Sequence, residues 1–115
     1  MDKRLPVINY NTLKSLRDEM DEAFSEIYQT VFISIESSIQ QLHHRPADGK
    51  TITRLFHSIK SPAASIGAEQ LSACAAEYEQ LSRADAYNGL EQHTRELQQC
   101  FQLLQQELKD FDPKA

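Results

Sequence analysis

The sequence predicts an all-α protein, an antiparallel up-down four-helix bundle with a short N-terminal arm or helix. Three observations predict it. Apolar residues recur every three or four positions along most of the chain. The chain has 115 residues, enough for one domain and one core. It holds three Gly and four Pro, too few for the many turns of a sandwich or barrel. Residues 1–10 read as an arm, 11–112 as the bundle and 113–115 as a tail.

The first helix carries Leu13, Leu16, Met20, Phe24, Ile27, Val31, Ile35, Ile39 and Leu42. No Gly or Pro interrupts it from Thr12 to Arg45. Asn11 is the candidate N-cap. The segment reads as one long helix, with the acidic cluster at Asp18 to Asp21 as the place where a break could fall. His43, His44 and Arg45 fall in the last turn, where cations suit the helix dipole, and Pro46 stops the helix. Val7, Ile8 and Tyr10 are placed to tuck the arm against the bundle.

Pro46-Ala47-Asp48-Gly49 reads as a turn, with Asp48 as the next N-cap. The second helix carries Ile52, Leu55, Phe56, Ile59, Ala63 and Ile66, and Gly67 ends it. The third starts near Ala68 or Glu69 and points Leu71, Cys74, Ala75, Tyr78 and Leu81 inward. Ser82 to Asp85 forms a short connection. The fourth runs from about Ala86, with Leu90, Leu97, Phe101, Leu104, Leu108 and Phe111 inward, until Asp112-Pro113. Short connections make consecutive helices antiparallel neighbours.

Charge and composition narrow the function. Acids outnumber bases 17 to 12, a net charge of -5, which argues against a nucleic-acid partner. No run of about 18 apolar residues exists to span a membrane. Met1-Asp2-Lys3-Arg4-Leu5-Pro6 lacks a secretory h-region, so a cytoplasmic location is expected. Cys74 and Cys100 sit among apolar neighbours and read as buried thiols rather than a disulfide. His43-His44 read as a solvated helix end, since adjacent helical positions diverge by about 100° and rarely share a metal, and His93, near Glu91 and Glu96, reads as a surface residue. There is no nucleophile–base–orienter set and no phosphate-cradling glycine loop.

One segment does not read as scaffold. On a helical wheel, His57 stands about 140° from Ile52, off the apolar arc. Lys60, Ser61 and Ala64 follow it at i+3, i+4 and i+7. The expectation is an imidazole on the solvent face, beside a cation and a ridge of small residues. An unperturbed imidazole titrates near about pH 6.5, so at pH 7 it is largely neutral and nucleophilic. Phosphoryl transfer depends mainly on positioning and charge neutralisation. His57 as acceptor and Lys60 as cation suit that chemistry.

His57-x-x-Lys60, with Ala63-Ala64-Ser65-Ile66 leading into Gly67, resembles a histidine-containing phosphotransfer (HPt) domain. The likeness extends from about Leu13 to Leu108. It implies that His57 accepts a phosphoryl group, Lys60 neutralises it and Gly67 ends the helix. It also implies a carrier of a multistep phosphorelay rather than an enzyme. Its partners would be response-regulator receiver domains and a hybrid sensor histidine kinase. It implies no cofactor of its own, with Mg supplied at the receiver site. Arg54, Ser61 and Ala64 would support the docking face. Glu79 falls where the family often has a Gln that hydrogen-bonds the imidazole; a carboxylate there could orient the ring but would repel a phosphoryl group.

Ser61-Pro62 replaces the usual Gly-Ser. Pro62 has no N–H and clashes with the carbonyl of Ser58, so the helix must either kink or break there. His57-Ser58-Ile59-Lys60-Ser61-Pro62 also resembles the phosphoacceptor box of sensor histidine kinases, in which the helix continues with a kink; that favours the continuous helix. The 115 residues leave no room for an ATP-binding domain, so a kinase is not expected. Three other readings remain: an adaptor that binds a receiver or kinase without accepting phosphate, a dimeric kinase-like phosphotransferase fragment, and a purely structural bundle.

Overall fold

The computed structural model describes residues 4–114. Part of the expected arm and the last residue of the expected tail therefore lie outside the described residues. Asn9 opens the helical region, two positions before the Asn11 that the sequence suggested. Its backbone is extended, and its Oδ1 accepts from the N–H groups of Asn11 and Thr12. The cap sits earlier because the segment ahead of it is already anchored: Ile8 is buried and Val7 packs on the core.

Helix α1 spans Tyr10–Met20. Asp21, at φ 49°, closes it, and a 3-10 turn over Asp21–Ala23 leads into α2, Phe24–His43. The expected long first helix is thus two helices, divided at the acidic cluster. Asp48 caps α3, Gly49–Ser65, by accepting from Lys50 N–H. Helix α4 spans Glu69–Leu81 and α5 spans Leu90–Glu107. Helix α5 starts four residues later than the sequence suggested. Ala86 takes φ 58°, which a helix cannot continue from, and Gly89 precedes the first turn.

Helix α2 packs on α3, α3 on α4, α4 on α5, and α5 back on α2. That closed ring is the antiparallel up-down four-helix bundle, and α1 is the short N-terminal helix laid against α2 and α3. Phe24, Phe56, Phe101, Leu13, Ile35, Ile39, Leu55, Ile59 and Leu97 fill the interior with almost no exposed surface. Cys74 and Cys100 are buried there too; a hydrogen bond with Cys74, together with burial, pushes the Cys100 thiol up from its ordinary pKa.

Two expected placements are corrected. Leu81 is 44% exposed, because it lies on the last turn of α4 beyond the core. His93 is half-buried rather than on the surface. Its ring stacks on Tyr78 with centroids 4.0 Å apart, and its Nδ1 shares a hydrogen bond with Tyr87 Oη at 2.7 Å. Tyr78 in turn donates to Glu96, so one polar string ties α4, the α4–α5 loop and α5 together.

The α3–α4 corner sets the pose of the candidate site. Gly67 takes φ 85°, its N–H reaches Ala64 O, and Ala68 N–H reaches Ala63 O. This is a Schellman closure with glycine at the left-handed position. Gly67 O also accepts from Asn9 N–H at 2.7 Å, which ties α1 to the corner. Helix α3 continues through Pro62 to Ser65, as the favoured continuous reading expected, and the alternative break at Ser61 does not occur. Pro62 sits in the last turn, where only the Ser58 carbonyl loses its helical donor.

Candidate functional site

The inward arc of α3 fixes where His57 goes. Ile52, Leu55, Phe56, Ile59 and Ala63 are all buried, so the opposite face must meet solvent. His57 lies there with its side chain 58% exposed. Lys60 stands one turn on, its side chain 34% exposed. Two polar links clamp α3 to the C-terminal end and the first turn of α4, on either side of His57. Thr53 Oγ1 and Ser82 Oγ are 2.7 Å apart, and Ser72 Oγ donates to Lys60 O at 3.1 Å.

Helix α4 brings Glu79 beneath the imidazole. Glu79 is only 6% exposed, although it is charged. Its Oε1 lies 3.1 Å from His57 Nδ1 and 3.1 Å from Lys60 Nζ. Its Oε2 accepts from Arg83 at 2.8 Å. Burial alone would raise the Glu79 carboxyl. The hydrogen bonds and charges of Lys60 and His57 outweigh that and hold it below the ordinary carboxylate value. Glu79 is therefore an acceptor for His57, and Nδ1 carries the proton in that hydrogen bond. The other ring nitrogen, Nε2, takes no part in the Glu79 contact and carries the lone pair whenever the ring is neutral.

An open cavity of about 800 Å3 adjoins this group, lined by Lys50, Arg54, His57, Glu79, Arg83 and Tyr87 among others. Arg54 thus shares the cavity with His57, as the sequence suggested. Burial pushes the Tyr87 hydroxyl up to about 12, so it stays protonated there. Ser61 and Ala64 are exposed on the same helix, beyond Lys60. Ala64 and Gly67 line a separate groove of about 410 Å3 beside Thr12 and Leu5. Gly67 is buried and shapes the corner rather than the site.

The sequence pointed to His57, Lys60, Arg54 and Glu79, and the fold gathers these four. It missed Arg83, read there as part of a connection. The signal was present: Glu79 and Arg83 are four apart, the spacing at which a helix pairs opposite charges.

Among the described residues, no helix is long and apolar enough to cross a membrane. No curated protein matches the chain. In structure the chain is similar to histidine-containing phosphotransfer protein B from Pseudomonas aeruginosa PAO1. The TM-score is 0.81 at 20% identity, over 93% of this chain and 98% of that one. At that identity the likeness speaks for the fold. The sequence itself matches the family model of the Hpt domain over residues 11–111, nearly its whole length, and the chain therefore belongs to the Hpt domain family.

Proposed function

We propose that this protein is a histidine phosphocarrier of a multistep phosphorelay. His57 Nε2 would take a phosphoryl group from a receiver-domain aspartyl phosphate and pass it to another. The observation that carries this reading is the contact between His57 Nδ1 and Glu79 Oε1, 3.1 Å long. A carboxylate can only accept, so the contact supports a proton on Nδ1 and an Nε2 lone pair free to attack.

In the step proposed, the Nε2 lone pair forms a bond to phosphorus while the bond from phosphorus to the aspartyl oxygen breaks. The aspartate leaves as a carboxylate. The Nδ1 proton stays in place, so the ring becomes cationic as the N–P bond forms. The Glu79 carboxylate faces that cation, so the charge expected to repel the phosphoryl group instead stabilises the ring that bears it. Lys60, next to both, would neutralise the phosphoryl oxygens. Mg would be supplied at the receiver, with the acidic residues that hold it. The open cavity with Arg54 and Lys50 suits the acidic rim such a receiver carries.

The experiment is incubation with a phosphorylated receiver and Mg2+. The wild type is expected to gain an acid-labile label, and His57→Gln none. Tight receiver binding with no label on the wild type would instead favour a helical adaptor.

A further inference from the structure

We infer that Arg83 is a positioning residue for phosphoryl acceptance: it holds the Glu79 carboxylate by its far oxygen, so that Lys60 can leave Glu79 for the phosphoryl group. The inference rests on the phosphocarrier reading of His57 and deepens it.

Lys60 has two claims on it. Its Nζ is 3.1 Å from Glu79 Oε1, the same oxygen that holds His57 Nδ1. A phosphoryl group on Nε2 needs that cation as well. A carboxylate only 6% exposed does not give up its counter-ion easily, because an unpaired buried charge is costly. Were Lys60 its only full-time cation, Glu79 would compete with the phosphoryl group for it. Arg83 removes the conflict. Its guanidinium bonds Oε2 at 2.8 Å, on the side of the carboxylate away from His57 and Lys60.

Arg83 is itself held in place. It also donates to Gln80 Oε1 at 3.3 Å. Ser82, just before it, bonds Glu79 O at 2.8 Å and Thr53 across on α3. The residue stands just past the C-terminus of α4, where a cation is favoured by the helix dipole. Glu79 thus divides its oxygens between a permanent partner and a transferable one. A Gln at position 79 would carry no charge and would need no such partner. The role of Arg83 is therefore tied to the carboxylate at 79.

Arg83 is 55% exposed and lines the His57 cavity, so a direct contact with the partner is the competing explanation. Two phosphodonors separate them. Phosphoramidate phosphorylates an imidazole without a receiver: the Nε2–P bond forms, the donor's P–N bond breaks, and ammonia leaves. The full chain is labelled by phosphoramidate and, separately, by a phosphorylated receiver. The wild type, Arg83→Ala, Arg83→Lys, Glu79→Gln and the Glu79→Gln/Arg83→Ala double variant are compared, with thermal melts showing that each is folded. Arg83→Ala is expected to slow labelling by both donors about tenfold, the factor for one hydrogen bond of about 1.4 kcal/mol. Arg83→Lys should recover most of the rate. In the Glu79→Gln background, Arg83→Ala should change the rate less than twofold. Slowing with the receiver alone, or an equal loss in the Glu79→Gln background, would overturn the inference; so would no slowing at all. A wild type labelled by phosphoramidate but not by any receiver would sink the carrier reading, while the Arg83 comparison could still be read. A wild type labelled by neither donor would contradict both.

Discussion

Glu79 Oε1 lies 3.1 Å from His57 Nδ1, and this contact joins a buried carboxylate on α4 to an exposed imidazole on α3. Every other feature of the site is arranged about it. Lys60 meets the same oxygen, Arg83 the other, and the Thr53–Ser82 and Ser72–Lys60 links hold the two helices in register.

The contact should matter through its acceptor geometry. Glu79→Gln keeps an oxygen for Nδ1–H; it loses the charge that faces the cationic ring but frees Lys60 for the phosphoryl group, so the two effects oppose and labelling of His57 should stay within a few-fold of wild type. Glu79→Ala removes the acceptor. A hydrogen bond to a charged group contributes about 1.5–3 kcal/mol, so the rate should fall about 10–100-fold. Single-turnover labelling measures both, and an alanine variant as fast as wild type would remove Glu79 from the account.

Gly67→Ala should be among the most damaging substitutions outside the core. The residue needs φ 85°, and an added Cβ would stand 2.5 Å from Asn9 O and 3.0 Å from Thr12 Cβ. The left-handed backbone alone costs about 1–2 kcal/mol, and the clash with backbone adds to it. A loss of at least about 2 kcal/mol is expected in chemical denaturation, with α1 loosened from the α3–α4 corner.

Pro62→Ala should stabilise the protein. It restores an N–H for the Ser58 carbonyl and removes the ring clash, against a small gain in unfolded-state freedom. The net effect is expected to be about 1–2 kcal/mol, seen as a rise in Tm of roughly 4–10 °C. A lower Tm would mean that Pro62 suits a local backbone shape which alanine does not adopt.

His93 gives the fold a pH dependence. Burial lowers its pKa from the ordinary 6.5, and Glu77 only partly opposes this. A folded state that binds protons less readily than the unfolded one loses stability as pH falls. The contribution is complete above about pH 6.5 and disappears as pH drops through the lower folded value. Denaturation at pH 7.5 and pH 5 should show a loss in wild type that His93→Gln reduces; equal losses would contradict it. Glu79 acts in a lower window, since its depressed pKa contributes stability above the ordinary carboxylate value and loses it in acid below that.

Much of this was readable in one dimension, for definite reasons. The stripe from Leu13 to Leu42 and the Ile52–Ile59 arc fix which faces are buried, and so put His57 and Lys60 in solvent. Gly67 declared itself because a helix end that turns left-handed favours glycine. Glu79 could be counted to its place, but its three partners arrive from the neighbouring helix and from the end of its own, and periodicity carries no such phase. Arg83 was lost in a connection. Ala86 hid the true start of α5, since nothing marks an alanine that takes φ 58°. His93 looked like surface because its cover comes from Tyr78 and Tyr87, neither of which lies on its own helix.

The central claim is that His57 accepts phosphate on Nε2 while Glu79 keeps the proton on Nδ1. The most direct measurement is 15N and 31P NMR of the phosphorylated, histidine-labelled protein. The account predicts one phosphohistidine, with phosphorus coupled to Nε2 of His57 and a proton retained on Nδ1. Phosphorus on Nδ1, or a phosphohistidine signal that persists in His57→Gln, would contradict it.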